Sequence, residues 1–426
     1  MFQNLILKKA YTTNQLKVTV IALALLLLLC PLVTFAQYET PQKYSVQSLL
    51  KPEVRKGKHF TVAEEVTSDG FFYHYTVLSP YGTFTPSSTS ALYQLTQELN
   101  VIAAMKKIAT DDTAVAALKQ SGKNAVTGIK NLFTNTEETL QGAAAGVSSL
   151  FNRASNTIGS RQVTDAEDTR AQQIIGFSKS KGKIATQYGV NVYSANAVLQ
   201  EELDRLAWAD YLGGLGVGVA MSAVPGVGGL VLTTSGTARL LNEAINNTPA
   251  SELWLQNKNK LLAMGMNADT VELFLNNSVF NPALATVTVS ALEKMKGVEN
   301  LELFIKVGLQ ASNPQMARVI TTLAVMSAGY HQQIAPLKRI SPLARITKAT
   351  TTKGETVVVL PTDHIIWSEN VAGLARSLTE DNSGSKDTKK QLWVLGDFSP
   401  VAGKNLQEMG WTLHTHVRDR LIPSAE

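Results

Sequence analysis

Three residues in the last quarter of the chain, Asp363, His364 and Asp397, are of the types that move protons or hold a cation. A carboxylate beside an imidazole orients it as a general base, and two carboxylates together can share a proton or a divalent ion. Each aspartate follows a short apolar run, Thr356–Leu360 (TVVVL) and Leu392–Leu395 (LWVL). If these runs are strands of a parallel unit, Asp363 and Asp397 stand just past their carboxyl ends, where α/β folds place ligands. The plainer alternative is that Asp397 caps the following helical region and Asp363 ends a turn. His414-x-His416 would set two imidazoles on one strand face, but no third ligand stands near them, so no metal is assigned. His74 reads as a packed or solvated strand residue. His331, near a helix end, gains a structural role from the dipole, which favours a cation there.

No G-x-S-x-G, H-E-x-x-H or dinucleotide fingerprint occurs. Gly176–Lys183 (GFSKSKGK) approaches a phosphate-binding loop, but the spacing is one residue too long and Ile184 replaces the magnesium-binding hydroxyl. It reads as a solvated basic turn. No cofactor is expected, and the reading leans away from an enzyme without excluding one.

The elements that would position these residues are strand, helix, strand, helix, strand over 355–426, a small α/β unit. Before it, Lys338, Arg339, Arg345 and Lys348 lie in a stretch with no acid before Glu355. Residues 338–354 therefore read as a basic linker able to contact an anion. Residues 191–337 read as a central all-α helical-hairpin domain. Asn281-Pro282 and Asn313-Pro314 are strong helix starts, and VELFL at Val271 returns as LELFI at Leu301, a duplicated helix pair.

Within that domain, Tyr211 to Ala238 contains no charge, and Pro225-Gly226 interrupts it. Proline at that point breaks a single helix, leaving two arms too short to span a bilayer separately. The stretch is a hairpin buried in the protein or one that dips into a membrane. Leu215, Val219, Pro225 and Leu230 are the expected contact residues. Residues 111–190 read as an amphipathic helical linker. GIKNLF at Gly128 recurs as GVSSLF at Gly146, 18 residues or five helical turns later. This puts Leu132, Phe133, Leu150 and Phe151 on one face, against protein or in a lipid interface.

At the amino end, 37–110 reads as a three-stranded antiparallel hairpin unit with a helix. HFTVAEEV and FFYHYTVLS flank an Asp-Gly turn, and Leu92, Leu95, Leu99 and Ile102 form a helical stripe. Residues 1–36 have the order of an export signal: Lys8, Lys9 and Lys17, an uncharged run from Val18 to Leu29, then Thr34-Phe35-Ala36. The only cysteine, Cys30, falls within that signal, so the mature chain carries no disulfide. An exported, thiol-free chain suits a Gram-negative periplasm or cell envelope. Without the three signal lysines, 36 of the 39 basic residues face 34 acidic ones, too even a balance to argue for nucleic acid.

SDGFFYHYTVLSPYGTF from Ser68, PASELWLQNKNKLLAMGM from Pro249, AGYHQQIAPL from Ala328 and LWVLGDFSPVAGKNLQEMGW from Leu392 resemble a family of exported Gram-negative proteins without an assigned activity. The resemblance implies no functional residues. The expected fold is thus α+β, predominantly α, in three parts. The expected function is a membrane-associated, non-enzymatic interaction scaffold whose partner is membrane lipid or an envelope protein. The alternative is an enzyme or small-ligand binder built around Asp363, His364 and Asp397.

Overall fold

A computed structural model describes residues 38–108, 165–212, 236–343, 345–380 and 389–422. The elements below all belong to the unit Thr40–Glu426. The signal segment, Leu132, Phe133, Leu150, Phe151, Leu215, Val219, Pro225 and Leu230 lie outside the described residues.

The amino-terminal part consists of β1 (Tyr44–Ser45), α1 (Val46–Leu49), α2 (Pro52–Arg55), β2 (Lys56–Gly57), β3 (Phe60–Val62), β4 (Glu65–Ser68), β5 (Tyr73–His74), β6 (Val77–Ser79), β7 (Gly82–Phe84) and α3 (Thr89–Met105). Instead of one three-stranded unit, the strands form two antiparallel sheets, β2-β3-β6-β7 and β1-β4-β5. The run 60–68 changes partner midway: β3 pairs with β6, whereas β4 pairs with β1 and β5. Asp69 closes the β4–β5 turn, its Oδ1 accepting the N–H groups of Phe71 at 2.8 Å and Phe72 at 2.7 Å. Ser88 caps α3 by accepting the Ala91 N–H. The stripe Leu92, Leu95, Leu99 and Ile102 is buried against Val66 and Val77 of the strands and Leu199, Leu203 of a later helix.

Helices α4 (Asp165–Gln187), α5 (Ala197–Tyr211) and α6 (Gly236–Asn247) form a trio, with α5 and α6 both packed on α4. The basic stretch at 176–183 is not a turn but part of α4. Lys181 pairs with Asp204 at 2.6 Å and Lys183 with Asp210 at 3.4 Å, so two of its three charges are matched by the neighbouring helix. Phe177 packs tilted against Trp208 at 4.7 Å, and Gly176 lies against the Tyr211 ring, so α5 ends beside the middle of α4. Asn247 Nδ2 donates to Thr186 Oγ1, and Gly182 abuts the Asn246 carbonyl. The carboxyl end of α6 therefore meets the carboxyl end of α4.

Next come α7 (Ala250–Ala263), α8 (Ala268–Leu275), α9 (Pro282–Glu293), α10 (Glu302–Gly308) and α11 (Pro314–Gln333). Asn281 and Asn313 cap α9 and α11, each Oδ1 accepting an N–H three residues on at 2.9 Å. The two capped helices pack together, with the Thr288 and Thr321 hydroxyls 2.9 Å apart.

The chain closes with β8 (Leu337–Leu343), β9 (Ile346–Thr351), β10 (Thr356–Leu360), β11 (His364–Ile365), α12 (Glu369–Glu380), β12 (Lys390–Val394), β13 (Asp397–Phe398), α13 (Pro400–Glu408), β14 (Trp411–His414) and α14 (Arg418–Leu421). A five-stranded mixed sheet runs in the order β14-β12-β10-β9-β8. β10, β12 and β14 are parallel, β9 pairs antiparallel with β10, and β8 pairs antiparallel with β9.

This sheet overturns the expected three-part fold. The central helices are not a self-contained all-α domain, and the carboxyl-terminal strands are not a small separate unit. One buried cluster runs from Phe274 and Phe304 through Ala324 and Tyr330 to Ile340, Val357 and Trp393. The physical reason is that one face of the sheet is the cover for α10 and α11. The other face, with Val358, Leu392 and Val394, packs with Ala372 and Ala375 of α12 and Leu406 of α13. Residues 338–354 are likewise not a linker but the β8–β9 hairpin. Leu337, Ile340, Leu343, Thr347, Ala349 and Thr351 point inward, and the basic residues fall between them.

Candidate functional site

Asp363, His364 and Asp397 come together where β10 and β12 end. Each strand is followed by a short excursion and then by one strand of a parallel pair, β11 beside β13, with His364 opposite Asp397. Gly396 permits the approach. A Cβ there would lie 1.7 Å from the Asp363 carbonyl oxygen, and Asp397 N–H donates to that oxygen at 3.1 Å.

The side chains divide into two arrangements. His364 Nδ1 bonds Asp397 Oδ1. Because a carboxylate only accepts, Nδ1 is the donor of this bond. Nε2 has no partner among the described residues. The ring is packed between two tyrosines of the amino-terminal part: Tyr73, nearly parallel at 5.9 Å, and Tyr44, edge-on at 5.8 Å. Burial, reinforced by the Asp397 charge, pushes the Tyr73 phenol well above its ordinary value, so it is a neutral donor there.

Asp363 points elsewhere. Its Oδ2 accepts the N–H of Tyr73 at 3.1 Å and of Thr89 at 2.9 Å. Thr89 is the first residue of α3, so the carboxylate sits at a helix amino terminus, where the dipole favours an anion. Burial nevertheless raises its pKa, with the two N–H bonds opposing the rise. The Phe71 carbonyl also accepts the Asp363 and His364 N–H groups. The carboxyl ends of β10 and β12 are thus overlaid by the β4–β5 turn and the start of α3. Asp363 and Asp397 are close through the backbone, but their carboxylates serve different partners.

The remaining candidates separate. His414 ends β14 and stacks on Trp393 at 3.9 Å, and burial, then Arg420, lowers its pKa. His416 lies beyond the strand at φ 53°, so the two imidazoles do not share a strand face. Among the described residues no group of His, Cys, Asp and Glu could hold a metal ion. His331 is structural in a different way from a dipole-bound cation. Its Nδ1 accepts the Leu337 N–H at 3.0 Å, and burial lowers its pKa, so the neutral ring is the working form. His74 pairs with Asp69 at 3.2 Å on the surface. Lys338, Arg339 and Arg345 are exposed on the β8–β9 hairpin and Lys348 is half-buried there; Arg339 pairs with Glu299 at 2.6 Å.

Sequence reasoning missed Tyr44 and Tyr73, which have no local signature, and a buried carboxylate, Glu98. Glu98 accepts from Ser194 at 2.7 Å, Gln94 at 2.9 Å and Asn196 at 3.0 Å. A signal for it existed: Glu98 is three residues after Leu95 and four before Ile102, on the apolar face of α3.

No protein-family model, curated protein or solved structure matches the chain.

Proposed function

We propose that the protein is an exported envelope protein that associates with a membrane and serves there as a non-enzymatic interaction scaffold. The observation that carries this reading is the pairing, in one sequence, of an export-type amino end with two unusual segments, the charge-free 211–238 and the repeat-bearing 121–160. The charge-free stretch leaves α5 at Tyr211 and re-enters at α6, while the repeat-bearing stretch leads into the amino end of α4. Among the described residues no helix is long and apolar enough to cross a membrane, and this reading assigns insertion to the charge-free run. A membrane-confined photoactivatable probe tests the reading in the host. Label is expected in peptides from 213–235, and labelling no greater there than in the β8–β14 sheet would sink it.

A second reading, an enzyme or small-ligand binder, draws on the carboxylate-oriented imidazole of His364. Against it stands the commitment of Asp363 to two backbone amides and the overlay of the strand ends. The cavity between α11 and the sheet, lined by Ser327, Tyr330 and Thr347, has room for about one water. Accelerated carbethoxylation of His364 relative to His331, abolished by a bound metabolite, would favour this second reading.

A further inference from the structure

The β8–β9 hairpin has one face buried under α10 and α11, while its outward positions carry Lys338, Arg339, Ser341, Lys348 and Thr350. Arg345 lies in the turn at one end of the hairpin and Lys353 in the β9–β10 turn at the other. Across 337–354 there is no acidic residue; Glu299, between α9 and α10, pairs with Arg339, and Glu355 follows the β9–β10 turn, its carbonyl accepting the Thr351 N–H.

Two ordinary explanations leave part of this unexplained. An edge strand is guarded against pairing by charge and proline, which accounts for Lys338, Arg339 and Pro342 on β8. Backbone pairing of Glu299 with Lys338 and Ile340 already blunts that edge. Arg345 and Lys353 are off the edge strand, so edge protection does not call for them. A discrete phosphate site is also a poor fit. Six paired positions extend over roughly 20 Å, and the charges do not converge on one point. That distance exceeds the screening length of about 8 Å at physiological salt, so the residues respond to an extended field rather than to one anion.

We infer that this face is a docking surface for an anionic lipid headgroup layer, which orients the protein on the membrane. The inference rests on the membrane reading above and deepens it: the apolar segment supplies insertion, and the hairpin supplies preference for negative headgroups. Each Lys or Arg near such a surface strengthens partition by roughly fivefold, so three act together strongly.

The test is flotation of the full mature chain with vesicles containing phosphatidylglycerol and, separately, with phosphatidylcholine alone. Wild type is expected to favour the anionic vesicles, with the preference collapsing near 1 M salt, where the screening length is about 3 Å. The variant Lys338→Gln, Arg345→Gln, Lys353→Gln changes only exposed side chains, and its melting curve checks folding. It should lose at least tenfold in binding to anionic vesicles and keep its binding to neutral ones. Unchanged binding of this variant to anionic vesicles overturns the inference alone. Wild type that floats with neither vesicle overturns both the inference and the membrane reading.

Discussion

Asp363 Oδ2 lies 2.9 Å from the backbone nitrogen of Thr89, a residue 274 positions away in sequence. The same oxygen accepts the Tyr73 N–H, and one residue beyond Thr89 the Ser90 hydroxyl accepts from Arg418 at 2.6 Å. The amino end of α3 is thereby fastened to the loop after β10 and to α14. Asp363, a candidate for acid–base chemistry by type and position, acts as the pin between the two ends of the chain.

Replacing that pin gives a graded outcome. Asp363→Ala leaves two buried N–H groups without an acceptor and should cost about 2–4 kcal/mol in urea unfolding. Asp363→Asn keeps an acceptor and removes a buried charge, so it should cost less than about 1 kcal/mol. Equal losses for the two variants would show that the carboxylate oxygen is not what holds α3.

Glu98 sets a pH dependence whose sign is opposite to the usual carboxylate case. Burial raises its folded pKa, with Ser194, Gln94 and Asn196 opposing. The unfolded chain titrates near 4.5, so the stabilisation is complete below that pH and declines as pH rises through the higher folded value. Asp363, raised in the same direction, adds to the trend. The advantage in melting temperature of wild type over Glu98→Gln should shrink as pH rises above 4.5. An advantage that grows over this window, followed by calorimetry, would contradict the assignment.

Two glycines should respond oppositely to alanine. At Gly396 a Cβ would stand 1.7 Å from the Asp363 carbonyl, so Gly396→Ala must part β11 from β13 and should cost about 1–3 kcal/mol or more. At Gly373, inside α12, a Cβ meets nothing within 4 Å, so Gly373→Ala should stabilise by about 0.5–1 kcal/mol. Thermal melts of the pair decide whether the close approach at Gly396 is as tight as described.

The caps at Asn281 and Asn313 were legible in sequence, and they supply another comparison. Asn313→Ala removes one cap at about 1 kcal/mol. Asn281→Ala removes a cap and also the bond from its Nδ2 to the Tyr193 carbonyl at 3.1 Å, so it should cost more. Equal costs in chemical denaturation would mean that the Tyr193 contact contributes nothing.

What could be read from the residues follows from range. Ser88, Asn281 and Asn313 act within three residues of themselves, and the stripe on α3 repeats every turn, so local pattern was enough. The strands 356–360 and 392–394 were visible as short apolar runs. The β8–β9 hairpin was not, because its outward positions are lysines and arginines and its inward ones include threonines, which weakens the period of two. The merging of helices and sheet into one core was hidden as well, since nothing in the α11 stripe says whether its cover is a helix or a strand. At the site, the residue types pointed to Asp363, His364 and Asp397. Only the fold shows that Tyr44, Tyr73 and Thr89, nearly three hundred residues upstream, decide what those three can do.

The most direct test of membrane association is alkaline carbonate extraction of membranes from the native host. Wild-type protein should remain in the pellet and leave it only with detergent. The variant Leu215→Ser, Val219→Ser, Leu230→Ser, with an unchanged melting curve, should be released by carbonate. Wild type recovered with the soluble periplasmic fraction would contradict the account and make 211–238 a segment buried within the protein.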